Sequence, residues 1–63
     1  MVELIVEHWH NPDGSDHYLW SVWRDGKRVE MGQPHRSQDL AEQEGGQWCW
    51  RVLKAPPDRV TKL

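Results

Sequence analysis

The chain has 63 residues, enough for one domain, and its eight basic and ten acidic side chains give a formal charge of -2. This balance lacks the basic excess that a phosphate-binding surface usually needs. Cys49 is the only cysteine, so no internal disulfide can form, which excludes the small secreted scaffolds held by several bridges. No apolar run has the length of a membrane span or of a signal peptide's apolar region, and we therefore expect a cytoplasmic protein.

Tryptophan is unusually frequent in this chain. There are five Trp, one Tyr and no Phe. A domain of this size buries only about 60% of the surface that its unfolded chain exposes, and each buried aromatic side chain removes roughly 150–250 Å² from water. We therefore expect more large aromatic side chains than one small core can cover.

Three strands are predicted in the first half of the chain. Residues 2–9 alternate in hydropathy, with Val2, Leu4 and Val6 at every second position, which is typical of a half-buried strand. Residues 11–16 are rich in turn formers and predict a loop. The Asp-Gly pair at 25–26, between two β-rich runs, predicts a two-residue hairpin.

A two-residue turn also predicts the pairing of the two hairpin strands. Counting outward from it, Arg24 lies opposite Lys27, Trp23 opposite Arg28, Val22 opposite Val29, Ser21 opposite Glu30 and Trp20 opposite Met31. Because side chains alternate between faces, one face is almost wholly apolar and is predicted to form the core: Tyr18, Trp20, Val22, Val29 and Met31.

A helix is predicted from about residue 38 to residue 54, with Ser37 as its N-cap. Helical spacing places one stripe against the sheet: Ala41, Gly45, Trp48, Cys49 and Val52. Two glycines at 45–46 cost about 1 kcal/mol each in a helix interior. They are either a device for close packing or a point where the helix bends.

Prolines at 56–57 end the helix, and residues 59–63 are predicted to add a final strand at the sheet edge. The predicted fold is a single α+β domain spanning residues 1–63. It consists of a small antiparallel β-sheet, in β-β-β-α-β order, with one helix packed across one face.

Residues 18–31 followed by residues 37–54 resemble the hairpin-then-helix core of small bacterial and phage domains, most of which lack an assigned function. HicB-type antitoxins share a similar element order. The resemblance covers most of the chain as architecture and implies the fold, with no residue motif that transfers an activity.

The face of the sheet away from the helix is the first candidate site. It is predicted to carry Ile5, Trp9, Leu19 and Trp23, with Arg28 able to stack on the Trp23 ring. Such an apolar face marks a contact site, unless Arg and Glu side chains or the loop at 11–16 cover it.

Trp50 is the second candidate, because it falls on the polar face of the predicted helix. Either a partner covers it or a distortion at the two glycines turns it inward.

Other chemistries have weaker support in the sequence. His8, His10 and His17 flank the first loop but match no metal-ligand spacing. Cys49 is expected to be buried and inert, no predicted element places two carboxylates together, and no Gly-rich phosphate loop follows a strand. We therefore expect neither an enzyme nor a cofactor. The sequence thus predicts a protein-interaction module that binds another protein or itself as a homodimer, without contacting a membrane. Its predicted contact residues are Trp9, Leu19, Trp23, Arg28 and Trp50. The alternative is a single-stranded nucleic-acid binder that stacks bases on the sheet-face tryptophans.

Overall fold

A computed structural model describes residues 1–63 and confirms the α+β fold class. A four-stranded sheet has the order β3-β2-β1-β4, and one helix packs on one of its faces against β1 and β2. The elements are β1 (Val2–His10), β2 (Asp16–Arg24), β3 (Lys27–Met31), α1 (Gln38–Trp48), a π-helical turn (Cys49–Leu53) and β4 (Arg59–Lys62).

The two longest strands, β1 and β2, pair antiparallel over their whole length, from Val2 opposite Arg24 to His10 opposite Asp16. The loop between them closes on itself. The Asn11 amide donates to the Ser15 carbonyl at 2.7 Å, and Asp13 Oδ1 accepts from the Ser15 amide at 2.9 Å. The loop therefore ends the ribbon without folding back over the sheet.

The last strand makes the sheet mixed rather than antiparallel. β4 lies at the sheet edge, as predicted, but it runs parallel to β1, with Glu3 opposite Arg59. Asp58 sets this direction. Its amide donates to the Val2 carbonyl at 2.8 Å, and its carboxylate accepts from the Val2 amide at 2.7 Å. Because these bonds hold the start of β4 beside the start of β1, the two strands must run the same way.

The β2–β3 hairpin forms at Asp25 and Gly26, whose φ angles of 52° and 83° are those the turn requires. The predicted pairing holds for the first two pairs, Arg24 with Lys27 and Trp23 with Arg28. A β-bulge then shifts the register.

Beyond the bulge the predicted pairing is wrong. Val22 lies opposite Glu30 rather than Val29, and Ser21 lies opposite Met31. An extra residue in one strand of a pair moves every later side chain to the other face. The prediction that Val29 and Met31 join the core is therefore also wrong, and their side chains are 46% and 51% exposed.

The core lies between α1 and the inner face of the sheet, and it includes Trp20 and Val22 as predicted. Tyr18 packs against it while half-buried. Gly32 lies flat against the Trp20 indole, where a methyl group would overlap the ring. The buried hydrophobic residues are Leu4, Val6, Trp20, Val22, Ala41 and Cys49.

The helix begins as predicted, since the Ser37 hydroxyl accepts from the Leu40 amide at 3.0 Å. Of the two explanations for the glycine pair, close packing applies to Gly45. A Cβ at Gly45 would lie 2.5 Å from Leu4 Cδ1, whereas a Cβ at Gly46 would meet nothing within 4 Å. The absence of a side chain at Gly45 therefore lets the helix backbone approach the sheet.

The helix ends differently from the prediction, because its last turn is π-helical. A π turn takes more residues than an α turn, since its hydrogen bonds run from residue i to residue i+5. As a result Leu53 follows Cys49 onto the core. Val52, predicted in the buried stripe, is 49% exposed.

Candidate functional site

The face of the sheet opposite α1, which we call the outer face, is covered by no other element of the chain. Its side chains follow from strand alternation and the observed pairing. We describe them by rows, called levels, each of which holds the residues that lie opposite one another across the strands. The first level holds Arg28, Trp23, Glu3 and Arg59, the second Met31, Ser21, Ile5 and Thr61, the third Leu19 and Glu7, and the fourth His17 and Trp9.

Apolar side chains form the centre of the outer face. Ile5, Leu19 and Trp23 are half-buried, and the Trp23 Nε1 donates to the Ser21 hydroxyl at 2.9 Å. Ser21 is only 5% exposed. The indole thus lies along the strand, with its N–H satisfied inside the protein.

One edge of the outer face is closed by a polar cluster from β1 and β4. Glu3 Oε2 accepts from Thr61 Oγ1 at 2.6 Å and from Arg59 Nε at 3.2 Å. Both bonds favour the ionised carboxylate and so lower the pKa of Glu3 below its ordinary value of 4.5. The bond from the Thr61 hydroxyl has the larger effect and the bond from Arg59 the smaller. Both bonds use Oε2, which leaves the second carboxylate oxygen, Oε1, without a protein partner.

We predict that Thr61→Val raises the pKa of Glu3, while Thr61→Ser keeps it low because the hydroxyl remains. The folded state binds the Glu3 proton less readily than the unfolded chain does. This contact therefore stabilises the fold above about pH 4.5, and the contribution disappears as the pH falls through the lower folded pKa. A carboxyl-carbon NMR titration measures the pKa directly. A Glu3 that titrates normally in the unmodified protein would contradict the prediction.

A concavity of about 310 Å³ lies between Trp23 and this polar cluster. Trp23 and Ile5 supply apolar walls, and Glu3 and Arg59 supply the charged rim. Met1 and the Asp25-Gly26 turn close one end. Its combination of an apolar interior and a paired acid and base suits the side chain of a partner rather than a free ion.

Arg28 lies on the opposite side of Trp23 from the concavity. The sequence suggested that it could stack on the Trp23 ring, but its guanidinium instead contacts the Met31 sulfur at 3.8 Å. No carboxylate pairs with it in the structure. Arg28 is therefore an exposed, uncompensated cation beside an apolar surface.

Trp9 lies at the far end of the outer face, opposite His17, and its Nε1 donates to Glu7 Oε2 at 3.2 Å. Trp23 lies opposite Glu3, six residues back along β1, a separation of roughly 20 Å at about 3.3 Å per residue. The two indoles therefore do not form one stacking platform, and each has a carboxylate beside it, Glu3 opposite Trp23 and Glu7 bonded to Trp9.

The structure thus places four of the five predicted contact residues on one face, with Trp9 at its far end: Trp9, Leu19, Trp23 and Arg28. Trp50 is not among them, because it lies on the helix side of the molecule. It is 59% exposed and so has not turned inward at the helix distortion. Sequence reasoning missed Met31, whose place on this face depends on the bulge, and Arg59 and Thr61, whose places depend on parallel pairing.

The three histidines near the first loop do not converge. His8 Nε2 and His10 Nδ1 contact the same oxygen of Asp16, at 3.0 and 2.8 Å, and His10, followed by His8, lowers the pKa of that carboxyl. His17 lies on the other face of the sheet. No group of three or more candidate ligands is placed to hold a metal ion.

Cys49 is fully buried in the core. Burial raises the pKa of its thiol, which disfavours the nucleophilic thiolate. Its position is that of a small packing residue.

Comparison of the chain with models of protein families, with curated proteins and with solved structures finds no match. The resemblance to the HicB-type element order therefore stays a prediction. None of the helical segments combines the length and apolar character needed to cross a bilayer.

Proposed function

We propose that this chain is a protein-interaction module of the cytoplasm, and that it binds its partner through the outer face. The observation that carries the proposal is that Ile5, Leu19 and Trp23 form the centre of a sheet face that nothing in the chain covers. The simplest partner is a second copy of the chain, which makes the protein a homodimer.

The composition of the outer face supports a contact surface. Residues that dominate binding energy are most often Trp, Tyr and Arg near the centre of a patch, surrounded by groups that exclude water. Here Trp23 and Arg28 are neighbours on one level, and the Glu3 cluster borders them. The Trp23 N–H is already bonded, so covering the indole would leave no donor unsatisfied.

We propose no catalytic activity for the chain. The one thiol is buried with a raised pKa, and the histidines nearest to each other are held by Asp16. Neither arrangement supplies an activated nucleophile beside a base.

Sedimentation velocity across a range from low micromolar to near-millimolar protein tests the proposal. The unmodified chain is expected to move from monomer toward dimer as its concentration rises. Trp23→Ser should keep it monomeric, whereas Trp50→Ser, which truncates an equally large but isolated side chain, should leave the association unchanged. Circular dichroism confirms that both variants are folded. A chain that stays monomeric throughout this range would contradict the proposed homodimer.

Single-stranded nucleic acid is the alternative partner, since Trp9, Trp23 and Arg28 share the same open face. The large separation of the two indoles counts against this partner, because they cannot stack neighbouring bases. The negative charges of Glu3 and Glu7 count against it as well. Fluorescence anisotropy with a labelled oligonucleotide at low salt decides between the two. Binding that weakens with salt and is lost in Trp23→Ser would replace the protein-interaction proposal.

A further inference from the structure

We infer that the outer face binds the outer face of a second copy about a two-fold axis that runs along β2. In this arrangement Arg28 and Met31 of each copy enter the concavity of the other copy, against its Glu3 and Ile5. The inference rests on the proposed function and specifies the partner and the geometry of its contact.

The sheet order dictates which residues meet. β2 lies between β3 and β1, so a two-fold axis parallel to β2 places β3 of one copy over β1 of the other at the same level. On the first level Arg28 and Glu3 flank Trp23, and on the second level Met31 and Ile5 flank Ser21. The axis therefore pairs Arg28 with Glu3 and Met31 with Ile5 between copies.

Charge complementarity favours this axis. Arg28 has no carboxylate partner within its own chain, and Glu3 carries a carboxylate whose Oε1 is unused because Thr61 and Arg59 both bond to Oε2. An arginine from the second copy can donate to that free oxygen without displacing either bond. The dimer contains two such pairs, each formed by Arg28 of one copy and Glu3 of the other.

Shape complementarity agrees with the charges. Met31 lies on β3, to one side of β2, and 51% of its surface is exposed. The concavity of about 310 Å³ opens on the other side of β2. The flexible Met31 side chain is suited to fill an irregular apolar space. Trp23 and Leu19 lie on β2, along which the axis runs. Each therefore faces the same residue of the second copy, across a sheet-to-sheet spacing of about 10 Å.

Other two-fold axes bring like charges together. An axis along β1 places Glu3 against Glu3 of the second copy. An axis perpendicular to the strands, centred on the Ile5 level, places Glu3 against Glu7. Like charges at an interface weaken association strongly, and the axis along β2 avoids both of these contacts.

A charge-exchange experiment tests the axis. R28E alone and E3K alone should each weaken the homodimer about tenfold or more, because both intermolecular pairs become repulsive. An equal mixture of R28E and E3K restores two attractive pairs in the heterodimer, whose dissociation constant should return to within about threefold of the unmodified value. K27E is the matched control. It reverses a neighbouring charge on β3 that faces away from the outer face, and it should leave dimerisation unchanged.

Cross-linking supplies a second measurement that leaves the Glu3 cluster intact in case E3K does not fold. Two Leu19→Cys side chains face each other across the axis, so a short bifunctional maleimide should join the copies. Arg51→Cys, exposed on the helix side, should not be joined, and the buried Cys49 gives no background.

The outcomes separate this inference from the proposed function. Rescue in the mixture together with cross-linking at position 19 supports the axis. If Trp23→Ser disrupts the dimer, but the mixture restores no association and position 19 is not cross-linked, the axis is overturned and the contact surface stands. A chain that is monomeric at every concentration overturns the two-fold contact altogether.

Discussion

Trp20→Ala is expected to remove about 3–5 kcal/mol of the free energy of unfolding, whereas Trp50→Ala should change it by less than about 0.5 kcal/mol. The two changes remove the same atoms from different surroundings. Trp20 is 3% exposed beneath the helix, and Trp50 is 59% exposed. Truncating a buried Trp costs about 3–5 kcal/mol, and a domain of this length has a total stability of roughly 3–9 kcal/mol.

Urea denaturation followed by far-ultraviolet circular dichroism measures this pair of variants, with the midpoint and slope compared for each. Trp20→Ala should show a strongly lowered midpoint or no folded baseline at all. If the two variants lost equal stability, the placement of the core on the Trp20 side of β2 would be wrong.

Gly45→Ala and Gly46→Ala are expected to change stability in opposite directions although the two residues are adjacent. A methyl at position 45 would meet Leu4 Cδ1 at 2.5 Å and the Trp20 ring at 3.3 Å. Overpacking of this kind typically costs about 1–3 kcal/mol. Because Leu4 is itself fully buried and has little room to move aside, we expect this cost to outweigh the gain of about 1 kcal/mol in helix propensity. A methyl at position 46 meets nothing within 4 Å, so Gly46→Ala should keep that gain.

Thermal and urea unfolding of the two glycine variants measures the difference, with Gly46→Ala serving as the control for helix propensity. Stabilisation by both variants would show that the helix does not approach the sheet closely at Gly45. Destabilisation by both would place Gly46 against a neighbour that the structure does not show.

Features that depend on nearby residues could be predicted from the sequence. The Asp25-Gly26 turn needs only two residues with positive φ, and its first two pairs follow from it. The start of α1 likewise depends on Ser37 and the amides of the first turn. The alternation of β1 and β2 sufficed to place Trp9, Leu19 and Trp23 on one face.

Features that depend on distant contacts could not be predicted. The bulge in the hairpin brings Gly32 against Trp20, a contact that local alternation does not reveal. The π-helical turn brings Leu53 rather than Val52 to the core.

The polar border of the candidate site was missed for the same reason. The direction of β4 is set by the bonds between Asp58 and Val2, which are 56 residues apart. Without that direction, nothing in the sequence places Arg59 and Thr61 beside Glu3.

Nitrogen-proton NMR spectra of the indole groups, recorded over a dilution series, test the contact surface most directly, because each of the five Trp side chains gives its own signal. Association through the outer face predicts that the Trp23 signal shifts with protein concentration while those of Trp20 and Trp50 stay fixed. A Trp23 signal that is independent of concentration, or a shift confined to Trp50, would contradict binding between copies through this face.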